Sequence, residues 1–341
     1  MTTVAGPLPV PSEVRFTPVR ASLVLGGLLV LALAALVASA LLGEYPVHVL
    51  RALADPASPD GRVLFGLRLP RAFLGALVGA ALAASGSALQ ALLRNPLADS
   101  FVLGVSGGAA LGATLALALG LQALAAPSLF AFVGAVAAMA LVLAAGQARS
   151  SPYAALLTGV VFNAFAAAII TCVKTLLTPD RLGEVLYWLA GNLGYERPRT
   201  LLVGGGLQLF ALGLLWVESS RLNLLSLGDE EAASLGVPVG RTRALVLLAT
   251  SLSVAGAVAL AGLIGFVGLI VPHLLRLWLG PDQRLLIPAS ALGGAAFLVL
   301  ADAATRVLFP VFHAEPPVGV VTAVLGGPLF VWLLNRREHP A

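Results

Sequence analysis

The chain has 341 residues, of which 59% are hydrophobic and 11% charged, with a mean hydropathy of +0.98. Soluble domains carry roughly 25% charged residues, so this composition excludes a water-soluble globular protein and describes an all-α polytopic membrane protein. The net charge of +4 comes from nineteen arginines and one lysine spread along the chain, and no basic tract points to nucleic acid.

Taken in order, residues 1–20 are rich in proline and read as a cytoplasmic N-terminal tail, ahead of a transmembrane domain over 21–335 and a cytoplasmic C-terminal tail over 336–341. The first apolar stretch, Ala21 to Leu42, follows Arg15 and Arg20 and passes Ala38-Ser39-Ala40, which has the look of a signal-peptide cleavage site. It is longer than a typical signal-peptide core and is read as an uncleaved first helix. Gly43 to Leu67, with Pro46, Pro56 and Pro59, is an aqueous loop with a short helix predicted at Pro46 to Ala54. Between Arg71 and Arg94 lie the 22 uncharged residues 72–93. As a helix they rise roughly 33 Å, enough to cross a hydrocarbon core of about 30 Å. Gly75, Gly79, Ala80, Ala81, Ala83, Ala84, Ser85, Gly86 and Ser87 leave this helix hardly any bulk on one face, which lets neighbours approach closely.

Arg94-Asn95-Pro96-Leu97-Ala98-Asp99 must turn, because proline stops the helix and Asn and Asp favour turns. Spans follow at Val102 to Ala125 and Ser128 to Ala148, a polar turn at Arg149-Ser150-Ser151-Pro152, and a span at Tyr153 to Leu177 carrying Asn163 and Lys174. Thr178 to Thr200 alternates charges with Leu186, Tyr187, Trp188 and Leu189 and reads as an interfacial amphipathic helix. A span at Leu201 to Val217 precedes the polar segment 218–243. Four more fit Ala244 to Leu263, Phe266 to Leu279, Leu285 to Ala301 and Val318 to Leu334. Ten spans result, with both termini on one side. Placing them inside puts eleven basic residues on that side against nine outside, a bias of the expected sign. Arg68, Arg71 and Arg306 then fall outside near span ends, where either snorkelling or an acidic external partner would explain them.

The residues also limit the chemistry. A P-loop needs a Gly-rich turn followed by Lys and Ser or Thr, and the only lysine sits in Cys-Val-Lys-Thr at 172–175. His48, His273, His313 and His339 stand far apart without metal-site spacing, and Cys172 has no partner cysteine. No catalytic site, resident metal or cofactor is expected, and the protein is read as a non-enzyme. Leu225 to Gly236 reads as a short helix with Asp229, Glu230 and Glu231 in its first turn, terminated by Gly236 ahead of Pro238. Pro272 and His273 inside Gly262 to Arg276 imply a broken or kinked span.

With these residues in view, the chain over about 20–335 resembles the permease subunits of the ABC importers for ferric siderophores, haem and cobalamin. The motifs are R-L-P-R at 68–71, L-R-N-P-L-A-D at 93–99, L-G-V-S-G-G-A at 103–109, G-D-x-x-A-x-x-L-G at 228–236 and G-F-x-G-L-x-x-P-H-x-x-R at 265–276. Pro317, Gly319, Thr322, Gly326, Pro328 and Phe330 follow in order. Ser100 departs from the pattern, which often has proline there.

The resemblance implies a ten-helix subunit in a homodimeric ABC importer permease of the cytoplasmic (inner) membrane. Its partners would be a second copy, a cytoplasmic ATPase dimer, an external substrate-binding protein and the bilayer. It further implies that Arg68, Arg71 and Arg306 dock the binding protein and that Asn95, Pro96 and Leu97 form one cytoplasmic gate. Ser150 and Ser151 align by position with the other gate. Gly228, Asp229, Glu230, Ala232, Leu235 and Gly236 match the helix that couples to the ATPase, within the cytoplasmic segment 218–243. The expected cargo is an iron chelate, siderophore or haem, with cobalamin as the alternative. An ion-coupled secondary transporter is disfavoured by the scarcity of intramembrane carboxylates, and a membrane anchor without transport by the lack of a large extramembrane domain.

Overall fold

The structure, a computed structural model, describes residues 17–43, 45–99, 101, 104–121, 126–149, 152–194, 198–309 and 313–337. Among these every regular element is helical. The order is α1 (Pro18–Leu41), α2 (Val49–Ala54) and α3 (Pro59–Val63), which passes through one π-helical turn (Leu64–Arg68) into α4 (Leu69–Leu92). Then come α5 (Val105–Ala118), α6 (Ala126–Arg149), α7 (Pro152–Leu176), α8 (Pro179–Leu189) and α9 (Pro198–Val217). The chain continues through α10 (Ser219–Leu225), α11 (Asp229–Ser234), α12 (Val239–Ala261), α13 (Val267–Leu279), α14 (Gln283–Val307) and α15 (Val318–Arg337). Among the described residues seven helices are long and apolar enough to cross a membrane, and α5, α13 and the apolar part of α15 are shorter apolar helices.

α4 is the axis of the bundle. Its apolar window is 78% buried, against 17% for α1, α7 and α9, whose Leu23, Val161, Leu202, Val203 and Leu209 project outward as a lipid-facing surface would. Lipid offers no hydrophobic drive between helices, so close backbone approach has to hold them. A Cβ on Gly79 would fall on the carbonyl oxygen of Gly294 in α14, and one on Gly294 on the carbonyl of Gly79. Gly86 meets the carbonyl of Gly268 in α13 in the same way, and Gly108 and Gly134 do so between α5 and α6.

Proline makes two further contacts necessary. Pro272 in α13 has no N–H for the carbonyl of Gly268, four residues back. Gln90 of α4 supplies the missing donor, its Nε2 lying 3.3 Å from the Gly268 oxygen and 3.3 Å from that of Leu269. Pro288 orphans the carbonyl of Arg284 in α14, and the indole N–H of Trp216 in α9 donates to it at 3.4 Å. Gln208 and Ser253 bond reciprocally between α9 and α12, at 2.7 Å each way.

α12 stops at Gly262 (φ 68°), and the chain stays non-helical until Phe266 (φ 69°) starts α13. Here three segments are hydrogen-bonded main chain to main chain. The Asn192 N–H donates to the Ala261 carbonyl at 2.9 Å, and the Gly319 N–H to the Gly191 carbonyl at 3.1 Å. A Cβ on Gly191 or Gly262 would strike the carbonyl of Leu263 or Trp188, and one on Gly319 that of Ala190.

Several elements depart from the sequence reading. The first loop contains α3 as well as α2, and α2 begins at Val49 rather than Pro46. Of the amphipathic segment 178–200, α8 takes Pro179–Leu189 and the last three residues already belong to α9, and α5 is shorter than the 102–125 stretch. α12 starts before Arg241 and Arg243, and α14 runs through Asp302 and Arg306; Arg243, Asp302 and Arg306 are paired rather than solvated, while Arg241 is exposed on the first turn of α12.

Candidate functional sites at the two ends of the bundle

At one end, Arg68, Arg71 and Arg306 gather around α1 and α14. Arg68 closes the π-turn and is 6% exposed. Its Nη1 donates to the carbonyls of Ala40 (2.9 Å) and Leu41 (3.1 Å), and its Nη2 to that of Tyr45 (2.5 Å). These are unpaired carbonyls at and beyond the C-terminus of α1, where a cation is favoured by the helix dipole. Arg306, also 6% exposed, donates to Ser39 Oγ at 2.6 Å and lies 3.5 Å from Asp302. Its Nε and Nη1 are buried without a hydrogen-bond acceptor. Arg71 binds the buried Asp302 through Nε (3.0 and 3.2 Å) and Nη2 (2.9 Å), and Glu315 through Nη1 (2.8 Å). Of the three arginines, Arg71 reaches the surface, with 24% of its side chain exposed beside a half-open Glu315.

At the other end, α4 finishes in a Schellman motif. The Arg94 N–H donates to Ala91 (3.2 Å) and the Asn95 N–H to Gln90 (3.1 Å), with Arg94 in the left-handed region at φ 49°. Asn95 Oδ1 then accepts from the Leu97 N–H at 2.9 Å, and the Asn95 carbonyl from Ala98 at 3.0 Å, so the Asn95, Pro96, Leu97 turn is locked locally. Leu97 is exposed. Ser150 and Ser151 lie outside the described residues.

Beside this turn stand α10 and α11. Gly228 (φ 147°) opens α11, and the Glu231 carboxylate folds back over it where a side chain would sit. Ala232 is fully buried with Leu222 and Leu225, whereas Leu227, Glu230 and Leu235 face outward and Gly236 (φ 83°) ends the helix in open space. Asp229 joins the two features: its carboxylate takes Arg94 Nη2 at 3.0 Å and Arg243 Nη2 at 3.0 and 2.9 Å. α10 is tied to α14, since Asn223 donates to Asp282 (2.7 Å) and accepts from the Gln283 N–H (2.8 Å). Burial opposes ionisation of Asp282, but hydrogen bonds from Arg284 and Asn223 outweigh it and hold the carboxyl below the usual carboxylate range. Ser87 of α4 bonds Gln283 at 2.9 Å. Between them, α10 and α11 are thus connected to the ends of α4, α12 and α14.

The sequence reading missed Asp302, Glu315, Gln90, Trp216 and the Arg94–Asp229 link. Gln90, an amide in a span of small residues that needs a partner, and the residue four before each helical proline were the available signals. Among the described residues no group of three or more His, Cys, Asp or Glu could hold a metal.

A family model described as the FecCD transport family matches residues 27–336. The chain is 39% identical over 329 residues to the hemin transport system permease protein HmuU of Yersinia pestis, covering 94% of this chain and 98% of that one. It is 42% identical over 274 residues to the cobalamin import system permease protein BtuC of Halobacterium salinarum, covering 80% and 73% respectively. Among solved structures, an inward-facing conformation of a metal-chelate type ABC transporter superposes with a TM-score of 0.82 at 33% identity, over 92% of this chain and 99% of that one.

Proposed function

The chain belongs to the FecCD transport family, and from that premise we propose that it is the permease subunit of an ATP-driven importer. Its cargo in this reading is an iron chelate, ferric siderophore or haem, received from an external binding protein. The observation that carries the reading is the end-to-end agreement with the hemin permease and with the fold of a metal-chelate transporter. Cobalamin is the second reading, favoured by the identity to the halobacterial cobalamin permease.

In this proposal ten helices cross the membrane, two copies of the chain enclose the pathway between them, and both termini face the cytoplasm. α11, within segment 218–243, docks a cytoplasmic ATPase dimer through its outward Leu227, Glu230 and Leu235 and its Gly228 and Gly236 ends. Asn95, Pro96 and Leu97, with Ser150 and Ser151, form the cytoplasmic gates. ATP binding closes the ATPase pair, shifts α11 and changes which end of the pathway is open, and hydrolysis belongs to the partner subunit. Arg71 is the arginine placed to meet an acid on the binding protein, and Arg68 and Arg306 hold its surroundings.

The test is a mild-detergent pull-down of the tagged chain from its host, followed by an ATPase assay. Co-elution of a P-loop protein with vanadate-sensitive hydrolysis is the expected result. An eluate without an ATPase that still takes up substrate on an ion gradient would overturn the proposal. A second prediction concerns docking. Glu315 holds Arg71 in cis, so Glu315→Gln is expected to tighten binding-protein docking about twofold to fivefold at low salt, the scale of an exposed ion pair. Arg71→Gln should weaken it. Docking measured by interferometry that is unmoved by either change would remove Arg71 from the interface.

A further inference from the structure

Arg94 occupies a position where glycine is the usual residue. The C′ site of a Schellman motif is left-handed, and a side chain there crowds its own backbone. A non-glycine residue held at φ 49° calls for an explanation in its side chain, and that side chain has one visible partner, Asp229 at the first position of α11. The other end of the pair is equally constrained. Asp229 is gripped through both oxygens by Arg243 at the start of α12, and α11 is anchored beneath by the fully buried Ala232. Arg94 is also the residue immediately before Asn95-Pro96-Leu97, whose geometry is fixed by its own hydrogen bonds. A displacement of α11 therefore has a direct route to this turn through one guanidinium, without passing through the buried body of α4.

We propose that the Arg94–Asp229 ion pair is the mechanical link by which movement of α11 is delivered to the turn at 95–97. The inference rests on the reading of α11 as the ATPase-docking helix and of that turn as a gate. Arg94 is a positioning residue in it: the pair is half-exposed and contributes little to holding the fold together, but it biases which arrangement of the turn accompanies each position of α11. Arg243 shares the carboxylate without touching the turn and serves as its fixed anchor.

The discriminating substitution is Arg94→Gly, because glycine suits the left-handed site and leaves the fold at least as stable while deleting the link. The assay uses the chain assembled with its ATPase in lipid, carrying Cys172→Ser and Leu97→Cys, and follows reaction of Cys at 97 with a membrane-impermeant maleimide with and without ATP and vanadate. In this parent the labelling rate is expected to change at least about fivefold on nucleotide trapping, the lower end of typical coupling between sites. With Arg94→Gly the ATPase should still co-purify and the thermal midpoint should not fall, yet the two rates should agree within about twofold. Arg94→Lys, which keeps the charge, should restore part of the response. A full nucleotide response in Arg94→Gly would overturn the link. If the ATPase fails to bind the parent, or nucleotide fails to alter labelling in the parent, the docking or gate reading itself is wrong and the inference falls with it.

Discussion

Gly86→Leu is expected to yield little folded protein, and what is recovered should unfold in detergent with a loss of at least about 3 kcal/mol. Ordinary overpacking is relieved by side-chain shifts, but here the obstacle is main chain. Pro272 strips the Gly268 carbonyl of its helical donor, the carbonyl turns toward α4, and Gln90 completes its hydrogen bond one turn below Gly86. A Cβ at position 86 lands on that oxygen. α4 cannot retreat, because Gly79 is locked against Gly294 on α14 and α14 buries most of its length. Gly27→Leu on α1, whose position has nothing within 4 Å, is the matched control and should behave as the parent in size-exclusion chromatography and thermal unfolding. Parental behaviour of Gly86→Leu in the same measurements would show that the α4–α13 contact is looser than described.

The second large effect is expected from Asp302→Ala. Asp302 is 1% exposed and sits between Arg71 and Arg306, the latter almost fully buried with two donors already lacking acceptors. Removing one partner of a buried pair leaves a charge that neither water nor protein compensates, a cost of roughly 3–5 kcal/mol. Asp302→Ala combined with Arg306→Met removes the stranded charge and should regain much of that loss, since apolar replacement of a whole buried pair is often close to neutral. Equal destabilisation of the single and double variants, by chemical denaturation, would mean that the two residues are not coupled.

The fold class was legible in the sequence because apolar length and small-residue spacing are local properties. The stretch from Gly75 to Ser87 announced a helix buried among other helices, and α4 is that helix. The short acidic helix before Gly236 was legible too, through its first-turn carboxylates and its glycine stop. What stayed hidden depends on partners far away in sequence. Hydropathy ended the penultimate span at Ala301, because Asp302 and Arg306 look like water-facing residues until Arg71, over two hundred positions earlier, is placed beside them. Arg68 looked like a surface cation because nothing local shows the end of α1 arriving beside it. Likewise the resemblance pointed to the Asn95-Pro96-Leu97 turn and the Gly228 helix separately, and only packing reveals that Arg94 and Asp229 join them.

The meeting point of Gly191, Gly262 and Gly319 bears on how such a chain can change over time. Because the chain after α8, the end of α12 and the start of α15 meet there peptide against peptide, none of the three glycines leaves room for a side chain of its own. A substitution can break it but not adjust it. Adaptation of the chain to a new cargo has to be written elsewhere, on surfaces where a side chain has room to change.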